Sequence, residues 1–278
     1  MPSKRAKTAP FKPSEARIHV LYVEQAEDQR VSSGSSKSRT AGLHLGTPKL
    51  GPTLCGACKG VVDVWRGRLD NVQTSLRMCC AEGSLFRPAV AQFAVLSPRA
   101  ALLYDVPRLG SWMGAQGTKR ATEAIVVGSA LRVVAGELSS KECGIEHTEL
   151  EPCDNSTSDT MWSWLHRWTD AVRSRASASG GRCVALALDK AAPILEPSPS
   201  AGTLASHFGE SSDVSDIIIV LGGPAGIPAS WQPGLDSALG KLSLKVALRG
   251  SLQHSYAALL DILLMHERGE LGPAILDR

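Results

Sequence analysis

The chain has 278 residues, 43% of them hydrophobic, which is enough for one large domain or two modest ones. Aromatic residues are scarce: six Trp, three Tyr and four Phe. The net charge of +3 permits a basic patch but excludes a protein that holds nucleic acid by overall charge alone. Seven cysteines is an odd count, and the polar, basic opening Met1 to Lys12 lacks the apolar core of a signal peptide. Both point to an intracellular, reducing compartment, cytoplasmic or nuclear.

In chain order, residues 1–14 form a basic arm around Lys4-Arg5-Ala6-Lys7, more often a solvated tail than an RNA-touching or nuclear-address segment. Residues 15–30 carry a first strand, since Ala16 to Glu24 alternates apolar and polar positions. Residues 31–142 read as an insertion. Val31 to Gly51 is rich in Ser, Gly, Lys and Thr and predicts a flexible loop. The remainder predicts β-structure at Gly60–Trp65, Ala89–Leu96, Ala100–Val106 and Ala124–Ala135.

From residue 143 the pattern is clearer. Gly144–Leu150 predicts a short strand. Ser156 or Ser158 is a candidate cap for a helix whose Met161, Trp164, Leu165, Trp168 and Val172 share one stripe. Ser177 to Gly181 breaks that helix. Arg182–Leu188 predicts a buried strand, Ala201–Phe208 a short helix and Asp216–Leu221 a second buried strand. Leu242–Leu248 predicts a further strand. A last helix, 251–268, presents Leu252, Tyr256, Leu259, Leu260, Leu263 and Leu264 on one face. Alternating strands and helices argue for a parallel sheet.

Ile217 to Gly226 carries the chemistry. Four consecutive β-branched residues cannot keep one face in water, so the strand is covered on both sides. Gly222, Gly223 and Gly226 then allow backbone to approach a ligand at the carboxyl end of a strand, where open α/β sheets bind. No Lys-Ser or Lys-Thr follows, which excludes a phosphate-cradling P-loop. The turn meets Pro228 rather than opening a helix, which excludes a dinucleotide fingerprint. The uncharged stretch Ile217 to Leu235 contains four Gly and three Pro, so it is a strand plus a loop rather than a membrane span.

Other clusters have blander readings. Cys55-Gly56-Ala57-Cys58 is one metal half-site, but the adjacent Cys79 and Cys80 chelate a shared ion poorly, so ordinary thiols are the stronger reading. Trp164 and Trp168 belong to the core stripe, whereas Trp162 lies off it and is the better surface candidate for stacking a base. His166, Arg167, Arg173 and Arg175 on the same helix fit a solvated face at least as well as a phosphate contact. His207 and His266 have no partner identifiable from sequence. No Gly-x-Ser-x-Gly elbow supports nucleophilic hydrolysis.

The order of these segments resembles the SPOUT class of S-adenosylmethionine-dependent RNA methyltransferases. The segments are Ala187-Leu188-Asp189, then Leu221-Gly222-Gly223-Pro224-Ala225-Gly226, then Leu242-Ser243-Leu244 and a long last helix. Within that class the order is most similar to the family that methylates a pseudouridine of large-subunit ribosomal RNA. The resemblance covers about Gly144 to Arg268. It implies an α/β fold in which residues 143–278 form a parallel-sheet trefoil-knot domain, with residues 31–142 as a β-rich or partly disordered insertion. It further implies S-adenosylmethionine as cofactor, ribosomal RNA or the ribosome as partner, no membrane, and a homodimer. Carried over by position, the cofactor-facing residues are Leu188, Leu221, Gly222, Gly223, Gly226, Leu242, Ser243 and Leu244, with His254 on the substrate side. The chain ends Gly272-Pro273-Ala274-Ile275-Leu276-Asp277-Arg278 instead of the family's Tyr-His-Arg-type tail. That departure favours the alternative of a non-catalytic RNA-binding or ribosome-associated scaffold that keeps the knot.

Overall fold

The computed structural model describes residues 16–23, 69–80, 84–97, 100–115, 132–133, 136–150, 160–188, 214–222, 227–240, 243–246 and 255–268. The elements are β1 (Arg17–Val23), α1 (Leu69–Cys80), β2 (Val90–Leu96), β3 (Ala100–Asp105), α2 (Val106–Ala115), α3 (Ser140–Cys143) and β4 (Ile145–Glu149). They are followed by α4 (Met161–Ala178), β5 (Arg182–Leu188), β6 (Val214–Gly222), a 3-10 turn (Ala229–Trp231), α5 (Gln232–Leu239), β7 (Ser243–Val246) and α6 (Ser255–Glu267).

The strands form one seven-stranded sheet in the order β4-β3-β2-β1-β6-β5-β7. The pairs β1–β2, β1–β6, β5–β6 and β5–β7 are parallel. The pairs β2–β3 and β3–β4 are antiparallel. The sheet is therefore mixed: within residues 143–278 the expected parallel pairing holds for β5, β6 and β7, whereas β4 pairs antiparallel with β3. A short turn at Ser97–Ala100, in which the Ser97 hydroxyl donates to the Ala100 carbonyl at 3.0 Å, reverses the chain directly and makes β2–β3 a hairpin.

Both faces of the sheet are covered. On one, Ile18, Val20, Tyr22, Ile217, Ile219, Leu221, Val184 and Leu186 pack beneath α1, α2 and α6, with Leu109, Leu259, Ile262 and Leu263 facing them. On the other, Leu21, Val23, Ile218, Val220, Cys183 and Ala185 meet Leu165, Trp168 and Val172 of α4 and Leu235 and Leu239 of α5. Successive strand residues alternate between the two cores, as the pleat requires. The Ile217–Leu221 run is buried throughout, as expected of a doubly covered strand.

Where the structure differs from the sequence expectation, local chemistry gives the reason. Residues 31–142, expected as a β-rich insertion, contribute β2 and β3 to the central sheet and supply α1 and α2. Asp105 ends β3 and accepts from the Arg108 backbone N–H at 3.0 Å, so it caps α2 just before Pro107, a residue suited to a first helical turn. The predicted strand at 124–135 is helical at Arg132 and Val133, and its other residues lie outside those described, as do Gly60–Trp65 and the loop 31–51. The cap of α4 is Thr160, whose hydroxyl accepts from Ser163 N–H at 3.2 Å; Ser156 and Ser158 lie outside the described residues. The other end of α4 closes with Gly180 at φ +78°. There Gly181 N–H donates to the Ala176 carbonyl at 2.9 Å and Gly180 N–H to that of Ser177 at 3.0 Å, a Schellman termination that glycine suits.

The segment after the glycine turn, expected as loop, contains α5. The predicted helix 201–208 lies outside the described residues. In α6 the buried face is Ala258, Leu259, Ile262, Leu263, Met265 and His266, whereas Tyr256, Leu260 and Leu264 are only half-buried. No helix among the described residues is long and apolar enough to cross a membrane.

Candidate functional site

Three of the predicted site residues meet at the carboxyl edge of the parallel strands. Gly222 ends β6 beside Val23 at the end of β1. Leu188 ends β5 one residue beyond the last register pair, Ala187 with Val220, which sets it next to Leu221. Leu221 is buried in the core, while Gly222 and Leu188 are half-buried at its margin. On the third strand, Ser243 and Leu244 pair with Ala185 and Leu186. They therefore enter β7 about 7–10 Å behind Leu188, since a strand advances about 3.3 Å per residue. Gly223, Gly226, Leu242 and His254 lie outside the described residues.

The last helix also reaches this edge. The Ser255 hydroxyl, in the first turn of α6, donates to the Gly222 carbonyl. At the far end of the same helix, the His266 Nε2–H donates to the Ala16 carbonyl at 2.6 Å, just before β1 begins. Burial lowers the His266 pKa, consistent with a neutral ring used as a tie. Thus α6 runs antiparallel to β6, and its positive end points toward Gly222 at the carboxyl end of that strand. The family resemblance points to His254, whereas among the described residues it is the neighbouring Ser255 that reaches this edge. A hydroxyl residue at a helix start is the clue that was present.

The aromatic residues are placed differently from the sequence expectation. Trp162 is half-buried and meets Trp231 edge to face, with centroids 6.3 Å apart and rings at 88°, on the α4–α5 side. It is a packing residue laid over Gly234, where an added Cβ would come within 2.5 Å of its indole. Trp164 and Trp168 stack at 6.0 Å. The basic residues of α4 largely have internal partners: Arg173 donates to the Leu239 carbonyl, Arg175 to Gln92 Oε1 at 2.9 Å, and His166 Nε2 lies 3.3 Å from Ser237 Oγ.

Cys79 and Cys80 close α1 and are fully buried. Burial pushes the Cys80 thiol up to about 12 and that of Cys79 well above its ordinary value, which disfavours the thiolate a metal needs. Among the described residues there is no group of three or more His, Cys, Asp or Glu that could hold a metal; Cys55 and Cys58 are not among them.

A polar cluster unforeseen from the sequence sits at the opposite, amino edge of the strands. Asp216 on β6, 1% exposed at its side chain, accepts from Arg17 at 2.9 Å and Ser215 at 2.7 Å, with His19 Nε2 at 2.8 Å. Burial alone would raise this carboxyl, but the hydrogen bonds from His19, Arg17 and Ser215 outweigh it and hold its pKa at about 2. His19 and Asp216, two ionisable residues inside otherwise apolar strand patterns, were the available clue.

No protein-family model matches the chain, and no curated protein is similar to it. The class that fold and geometry define is an α/β protein with a mixed, mostly parallel sheet covered on both faces.

Proposed function

We propose that the chain is an S-adenosylmethionine-dependent RNA methyltransferase of the SPOUT class, acting on a base of ribosomal RNA as a homodimer. The observation that carries this reading is the convergence at one edge. Leu188, Leu221 and Gly222 end two adjacent parallel strands, and the first turn of the last helix is tied to the Gly222 carbonyl through Ser255.

The cofactor supplies an activated methyl group on a sulfonium. The chain's part is positional. Half-buried Leu188 and Gly222 give an apolar margin with close backbone approach, suited to an adenine face and to hydrogen bonds from main-chain groups. Ser255 occupies one lone pair of the Gly222 carbonyl and so ties the start of the last helix to the end of β6. In-line displacement at a methyl group needs contact and alignment above all, and orientation of that kind can be worth roughly 7–11 kcal/mol of barrier. A site of this type needs no buried acid or base.

Calorimetric titration of the full chain with S-adenosylmethionine tests the reading. Saturable binding is expected, and Gly223→Val is expected to abolish it while leaving the circular dichroism spectrum unchanged. Absence of saturable binding by the wild type would overturn the cofactor reading. The alternative, a non-catalytic RNA-binding scaffold with the same fold, would then stand.

A further inference from the structure

We propose that His19 is an imidazolium in the native state, so that the cluster of Arg17, His19, Gln92, Ser215 and Asp216 is a built proton site that braces β6 to β2 and α4. The cluster is about 20 Å from Gly222, counted as six strand residues from the Arg17–Asp216 pair to the Val23–Gly222 pair. It is independent of the function proposed above.

The donor count carries the inference. Gln92 Oε1 receives Trp168 Nε1–H at 3.1 Å and an Arg175 guanidinium N–H at 2.9 Å. Tryptophan and arginine only donate, so the amide cannot be turned to offer its NH2 group there without losing both bonds. That fixed oxygen also faces His19 Nδ1 at 3.2 Å, while His19 Nε2 faces Asp216 Oδ1 at 2.8 Å. The ring is 1% exposed, so no water replaces either partner. Both ring nitrogens therefore point at acceptors, and a neutral imidazole has one N–H. A neutral ring would set the Nδ1 lone pair against that of Gln92 Oε1 in a buried space.

Burial lowers the pKa of His19 and the Arg175 charge adds to that, whereas the hydrogen bond and charge of Asp216 and the hydrogen bond with Gln92 raise it. Against burial stands the geometry: the Gln92 oxygen cannot rotate away from Nδ1, and Asp216 Oδ1 faces Nε2, so both contacts favour the protonated ring. Placing the proton on Asp216 instead would meet the same geometry, but Arg17 and Ser215 already donate to Oδ2, and the carboxyl is held at about 2. The remaining neighbour on β5, Cys183, pairs with Asp216; burial first and then Asp216 push its thiol up to about 12, so it stays neutral.

Long-range proton–nitrogen NMR of the full chain with 15N-labelled histidine tests this, with His19 assigned by its disappearance in His19→Gln. At pH 7.5 both His19 nitrogens are expected at protonated shifts; one nitrogen at the unprotonated position would overturn the proposal. Should His19→Gln fail to fold, Gln92→Glu keeps an acceptor for Trp168 and Arg175 and marks the same ring. It is expected to tighten the proton by about tenfold or more. A His19 titration unmoved by Gln92→Glu would overturn the proposal equally.

Discussion

Asp216 shows how a single residue can fix a strand pairing. Its carboxylate joins β6 to β1 through Arg17 and His19, with a side chain 1% exposed. Because its pKa falls from 3.8 to about 2 on folding, the ionised form contributes stability above pH 3.8 that is lost as pH falls through about 2. Asp216→Asn is therefore expected to cost about 2 kcal/mol at pH 7. The gap to wild type should close between pH 3.8 and pH 2 in urea unfolding series; an equal gap at both ends would show that the charge is not its source. At this scale the sequence was legible for apolar positions, because burial of Ile218 or Val220 follows from pattern alone. It was not legible for His19 and Ser255, whose partners Asp216 and Gly222 are 197 and 33 residues away.

Among the elements, those with strong periodicity or unbroken apolar runs were legible: β1, β5, β6, α4 and α6 all lie within a few residues of their predicted spans. The helices α2 and α5 were not, since each is short and begins beside proline, which reads as a loop marker unless the preceding cap is recognised. Packing of α5 on α4 gives a sharp test. Gly234 lies under the Trp162 indole, where an added Cβ would stand 2.5–2.7 Å from three ring atoms. Trp231 meets that indole edge on, which limits its escape. Gly234→Ala should thus destabilise by about 1–3 kcal/mol in chemical unfolding. An unchanged midpoint would mean that the indole moves aside freely.

For the whole molecule, one sheet serves two cores, and each core draws on residues from β1, β2, β5 and β6. Neither core can open without exposing the back of the other. Far-ultraviolet circular dichroism and tryptophan fluorescence, the latter drawing on Trp164 and Trp168 in one core and on Trp112 packed against the other, are expected to follow one coincident urea transition. Two separated midpoints would show that the layers melt independently. Placing β2 between β1 and β3 also determines what residues 84–105 are for: they extend the sheet beyond β1, and their register with β1 sets Gln92 opposite His19.

By itself the sequence determined the α/β class and the buried Ile217–Leu221 strand, because burial of long apolar runs is a local property of the chain. Only the tertiary structure decided which strands are neighbours, and with them that Leu188 and Gly222 share an edge, that Ser255 reaches the Gly222 carbonyl, and that His19, Gln92 and Asp216 form one cluster. Those outcomes depend on register between distant segments. Register is set by the summed packing of both faces, which no single stretch of sequence contains.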